Sequence, residues 1–127
     1  MSIESILSAS KEGLNYERLR LDAASRNISS ANQPIANGVN ATKLAVSGPT
    51  SGFQSQIALT NADIGTRLVS DPGNPMADAD GYVRYPDIDM VSEMTTLITA
   101  SRGYEANVRS FNMIRGMVLK ALELGAK

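Results

Sequence analysis

A chain of 127 residues has room for one domain at most, with a modest core. Histidine, cysteine and tryptophan are all absent, which excludes an imidazole base, a thiol nucleophile, a disulfide and a zinc site of ordinary type. Twelve basic residues balance thirteen acidic ones, with four of each in 1–33, three against four in 34–85 and five of each in 86–127, so no segment carries the positive excess that nucleic acid or anionic lipid favours.

From the N-terminus, residues 3–31 read as a helix. The stretch has no proline, Ser2 or Ser5 can cap its start, and its 29 residues span roughly 43 Å. Leu7, Leu14, Leu21 and Ile28 recur every seven residues, which draws one apolar stripe along the helix. The positions beside that stripe are Ile3, Ser10, Glu17 and Ala24, so the seam is apolar on both sides only at its outer parts. Gly13 costs about 1 kcal/mol relative to alanine and reads either as a close backbone approach or as a weak spot. The first eight residues have neither a basic region nor a continuous apolar run, so no cleaved secretory signal is read. No stretch approaches the ~20 apolar residues of a membrane span. Taken alone, these features indicate the cytoplasm.

The helix is expected to end near Asn32, because Pro34 cannot continue it and Gln33 is pushed toward extended geometry. Residues 33–86 then lose helical period and hold six of the ten glycines and all five prolines. Lys43–Val46, Thr66–Val69 and Gly81–Tyr85 suit three short strands, and Asp71-Pro72-Gly73-Asn74-Pro75 is a turn signal. Three such strands make a marginal independent sheet, so this region reads as a loop-rich insertion containing a hairpin.

Helix returns at Asp87 or Asp89 and is expected to run to about Leu124, with Gly125 as its stop. Met90, Leu97, Tyr104, Phe111 and Val118 fall at intervals of seven, and Met94, Val108 and Leu122 occupy alternate seam positions. Both terminal stripes need covering. A single helix pair leaves a slim margin over conformational entropy and is too narrow to cover Ile6, Ile98, Ile114 and Ala121. The expectation is a chain weakly ordered alone that gains order when it packs into an oligomer.

No catalytic or cofactor constellation accompanies the helices. Asp78, Asp80, Gly81 and Asp87 match calcium-loop positions three, five, six and twelve, but position one is Met76, which cannot ligate calcium, so a solvated turn is the better reading. The glutamates all lie on predicted helices with no nucleophile–base pair or phosphate-binding loop beside them. Asn27-Ile28-Ser29 and Asn40-Ala41-Thr42 fit a glycosylation sequon, but the first sits in a helix. Ser101 to Asn107 places Gly103 beside Tyr104, with Arg102 and Glu105 spaced to pair along the helix surface. It reads equally as an ordinary amphipathic turn or as a subunit contact.

Three blocks carry a resemblance to bacterial flagellar basal-body rod proteins, most closely the FlgC-type proximal rod subunits. The first, Leu21-Asp22-Ala23-Ala24-Ser25-Arg26-Asn27-Ile28-Ser29-Ser30-Ala31-Asn32, resembles the alanine-rich helix end shared by axial proteins. The second runs from Asp71 to Val83. The third runs from Pro86 through Glu93-Met94 and Ser101–Asn107 to Lys120-Ala121-Leu122-Glu123-Leu124-Gly125. Gln33-Pro34-Ile35-Ala36 stands where many axial relatives carry a Thr-Pro-Gly-Tyr-like turn. The resemblance implies a structural subunit exported unprocessed by the flagellar type III apparatus. It implies helical assembly into the rod, which crosses the periplasm and transmits torque.

The reading is therefore a mainly α, non-enzymatic assembly subunit without a cofactor. Residues 1–33 and 87–127 form helices of a rod core, pairing as an antiparallel coiled coil, and 34–86 form a loop and short-strand insertion. The expected interface residues are Leu7, Leu14, Leu21, Ile28, Met90, Met94, Leu97, Tyr104, Val108, Phe111, Val118 and Leu122. Expected partners are other rod subunits, copies of the same chain and the export apparatus, with no nucleic acid, membrane insertion or small-molecule substrate. A soluble helical adaptor or secretion chaperone is the first alternative, and a rod-associated peptidoglycan hydrolase the second.

Overall fold

Local signals start and stop both long helices. In the computed structural model, which describes residues 2–48 and 57–126, α1 spans Ile3–Ser30 and α2 spans Met90–Gly125. Pro49 and Gly52, two of the breakers in the middle segment, lie outside the described residues. The Ser2 hydroxyl accepts the backbone N–H of Ser5, and the Asp89 carboxylate accepts those of Val91 and Ser92. Each cap satisfies donors that the first helical turn leaves free.

Among the described residues the middle segment forms four strands rather than three, in two separate antiparallel hairpins rather than one sheet. β1 (Thr42–Ser47) pairs with β2 (Ala58–Asp63), from Thr42 opposite Asp63 to Ser47 opposite Ala58. β3 (Thr66–Ser70) pairs with β4 (Tyr82–Pro86), from Thr66 opposite Pro86 to Ser70 opposite Tyr82. The sequence of β2, Ala-Leu-Thr-Asn-Ala-Asp, has little strand propensity of its own. It is extended because β1 supplies its hydrogen bonds, a non-local cause that no window of sequence displays.

Asn27 ties the first hairpin to α1. It is 3% exposed. Its Nδ2 donates to the Leu44 carbonyl at 2.9 Å, and its Oδ1 accepts the Leu44 N–H at 2.8 Å. One amide thus satisfies both backbone groups of a residue in β1, standing in for a neighbouring strand. The sequon at Asn27 is accordingly part of the folded interior. On the other side of β1, Lys43 Nζ lies 3.8 Å from a carboxylate oxygen of Glu93 in the first turn of α2.

The second hairpin hangs from the connection after α1. Ile35 N–H donates to the Arg84 carbonyl at 2.8 Å. The Arg67 guanidinium reaches the Ala31 carbonyl at the end of α1 and lies 5.0 Å from the centre of the Tyr85 ring. A cation at a helix C-terminus is favoured by the exposed carbonyls there. The loop from Asp71 to Gly81 is held by its own side chains: Asp78 Oδ1 accepts the N–H groups of Asp80 and Tyr82. Gly81 sits at φ +81°, and a Cβ there would meet the Pro72 ring at 3.2 Å, so this turn requires glycine on two counts. Asp78 thus serves the turn as an internal acceptor.

Removing the Asn27 amide leaves the part-buried N–H and C=O of Leu44 without that partner, which costs about 1–3 kcal/mol. Asn27→Leu is expected to lower stability by that amount in urea unfolding followed by circular dichroism. A loss below about 0.5 kcal/mol, less than one ordinary hydrogen bond, would show that the clamp is dispensable.

Candidate assembly interface

Small residues bring the two helices together. Seven apolar residues are buried among the described residues, and five of them are alanines: Ala23, Ala24, Ala31, Ala41 and Ala100, with Val83 and Pro86 in β4 the other two. Ala100 is completely inaccessible, at 0%. A core of this kind lets two backbones approach closely, and in doing so it leaves little room for long side chains between them.

The helices run antiparallel, and two glycine contacts define their register. Gly13 faces Asn107, and Gly103 faces Glu17. Continued along both axes, this register sets Ile3 opposite Met117. The last two turns of α2, Val118–Gly125, therefore extend past α1 by about 12 Å. Leu119, Leu122 and Leu124 on this overhang are 52%, 66% and 76% exposed.

The row of α2 that turns toward α1 includes Glu93, Ala100 and Asn107. On the opposite side of the Leu97–Tyr104–Phe111–Val118 stripe lie Met94, Val108 and Leu122. Met94 is 49% exposed, Leu122 is exposed on the overhang and Val108 is half-buried. The stripe itself is half-buried along its length, as is Met90. On α1, Leu7, Leu14, Leu21 and Ile28 are likewise half-buried, while Ala24 and Asn27 beside them are fully buried. Leu21 and Leu97, one from each helix, line an open groove of about 650 Å³ together with Arg18, Leu19, Asp22 and Ser25. Arg102 and Glu105 are both exposed and do not pair with each other, whereas Glu17 pairs with Arg20 at 3.1 Å and Asp22 with Arg26 at 3.0 Å.

The apolar surface left outside is extensive. Ile3, Ile6, Val91, Ile98, Met113 and Met117 are all exposed on the helices, in addition to Met94 and the overhang leucines. Most lie on α2, away from the face that meets α1. Large exposed apolar surface is a feature of interaction sites. No helix among the described residues is long and apolar enough to cross a membrane.

A pair of long terminal helices with a short-strand middle and an uncovered apolar exterior defines an assembly-type structural subunit. The sequence comparisons agree with that class. Residues 79–124 match the flagellar basal body rod FlgEFG protein C-terminal family. The chain is 35% identical to the flagellar basal-body rod protein FlgC of Yersinia enterocolitica and 32% identical to that of Salmonella typhimurium, in each case over 98% of this chain and 99% of the relative. It is 31% identical to the FlgC protein of Bacillus subtilis over 94% of this chain and 95% of that one. The chain belongs to the FlgC family of flagellar basal-body rod proteins.

Because Ala100 has no free space around it, enlarging it forces the helices apart. Ala100→Leu is expected to cost about 1–3 kcal/mol, as overpacked cores do. The fall in thermal unfolding midpoint, measured by circular dichroism, checks this. An unchanged midpoint would mean that the seam is looser than its burial indicates.

Proposed function

We propose that the chain is a structural subunit that assembles helically, with copies of itself and with other rod subunits, into the part of the flagellar rod that crosses the periplasm and transmits torque. One observation carries the reading: the intrachain seam is closed by alanine and glycine, so the large aliphatic side chains of α2 and of both helix ends are left for neighbours. In a polymer those side chains gain burial that no single copy provides. Order and stiffness then rise together on assembly.

The division of labour follows the three segments: 1–33 and 87–127 as the helical rod core, and 34–86 as the insertion. The residues assigned to contacts in the assembled rod are Leu7, Leu14, Leu21, Ile28, Met90, Met94, Leu97, Tyr104, Val108, Phe111, Val118 and Leu122. Leu21 and Leu97 have the most direct support, from the open groove they line. The proposal includes export through the flagellar type III apparatus, and it assigns no catalytic role, cofactor, nucleic acid, small-molecule substrate or membrane insertion to the chain. The relatives are named as rod proteins, so neither the adaptor or chaperone reading nor the hydrolase reading is favoured.

Leu21→Asp places a charge in that groove, and Val108→Asp places one on the outward side of the α2 stripe. Either is expected to abolish rod assembly and swimming in soft agar while the chain is still exported. Normal swimming by either variant would count against the interface assignment. Dilute purified protein is expected to be a monomer of marginal stability, with a low urea midpoint by circular dichroism. A fully helical soluble dimer would instead favour an adaptor.

A further inference from the structure

The two glycine contacts at the centre of the helix pair are reciprocal. On α1, Gly13 precedes Glu17 by four residues, and on α2, Gly103 precedes Asn107 by four. One helical turn separates each glycine from the polar residue that follows it. In the antiparallel pair, Glu17 lies over Gly103 and Asn107 lies over Gly13. A Cβ at Gly103 would stand 2.9 Å from the Glu17 carboxylate, and a Cβ at Gly13 would stand 3.2 Å from Asn107 Nδ2. Each polar end therefore occupies the room that a missing side chain leaves. Glu17 is further held by Arg20, whose guanidinium lies 5.7 Å from the centre of the Tyr16 ring.

We infer that these paired glycine seats are a register lock for the α1–α2 pair. The apolar stripes alone cannot set register, because a seven-residue repeat matches itself again after a slip of seven. The polar residues break that degeneracy. A slip in one direction sets Glu17 against Ser110 and Asn107 against Arg20, with Ile114 over Gly13. A slip in the other sets Glu17 against Thr96 and Asn107 against Ile6. Both slips lose both seats, and each places a polar end against a side chain instead of a gap. A parallel pairing of α1 with another α1 brings Glu17 against Glu17.

Polar residues within a helix seam commonly sacrifice some stability for a unique arrangement. The sacrifice here has a structural consequence. A slip of one heptad displaces one helix along the other by about 10 Å, nearly the whole length of the α2 overhang. The lock therefore determines how much of the Leu119–Leu124 surface projects beyond α1, independently of what that surface contacts.

The chain has no cysteine, so engineered thiols report register cleanly. The pair Ile6→Cys and Ile114→Cys is opposed in the native register, whereas Ile6→Cys and Ala121→Cys is opposed only after a slip of seven. Each pair is introduced into the full chain, which is oxidised within purified basal bodies and examined for intrachain disulfide by gel mobility. In the otherwise native chain only the first pair is expected to cross-link. With Glu17→Leu and Asn107→Leu added, helicity is expected to persist, while the ratio of native to slipped product falls about fivefold or more, as loss of ~1 kcal/mol of discrimination requires. If the double substitution prevents incorporation, Asn107→Leu alone is read in the same way. Glu17→Gln keeps a polar end over Gly103 and is expected to leave the ratio unchanged. The inference is overturned by an unchanged ratio in the leucine variants, by a loss of discrimination in Glu17→Gln, or by a native pair that fails to cross-link.

Discussion

Close approach of two antiparallel helices through alanine and glycine is the constraint on which the rest of the molecule depends. Ala24 and Ala100 are buried, and Gly13 and Gly103 each receive a side chain from the opposite helix. Backbones this close exclude long aliphatic side chains from the space between them. Leucine, isoleucine and methionine are consequently displaced to the flanks and the outer face. The exposed apolar exterior and the intimate seam are thus two results of one packing choice.

The middle segment has to bridge the end of α1 and the start of α2, which lie side by side at the same end of the pair. It does so with two hairpins secured by a few polar links. Asn27 holds β1 by its backbone, Lys43 approaches Glu93 across to α2, and Arg67 reaches back to the last turn of α1. Such links are directional and exacting in geometry, so they orient small hairpins that have little apolar surface with which to dock themselves. The alanine-rich end of α1 has a clear structural role: its alanines permit approach, and Asn27 clamps the first strand.

The opposite end of the pair has a different character. There α2 outruns α1, and the excess turns carry leucines that are more than half exposed. A subunit with hairpins at one end and a bare apolar helix tip at the other is polar in the geometric sense.

The sequence by itself determined the two long helices, three of the four strands found among the described residues and the turn that begins at Asp71. These depend on period, caps and turn chemistry, which act within a few residues of one another. The sequence left two cap candidates at each helix start and placed the stop of α2 at Gly125, which is the last helical residue before the cap Ala126. Balanced charge and the missing histidine and cysteine also narrowed the function before any fold was known. Tertiary structure alone decided which row beside each stripe turns inward. Hydrophobicity favours Met94 and Leu122 over Ala100 and Asn107, but the distance between backbones favours small side chains, and that distance is not written in either helix separately. Tertiary structure also decided that Ala58–Asp63 is extended, because its partner is distant in the chain, and that Asn27 is a clamp rather than a surface residue. Gly13 and Gly103 were visible as anomalies within helical sequence. Their meaning emerged only when each was placed opposite the other helix's polar side chain.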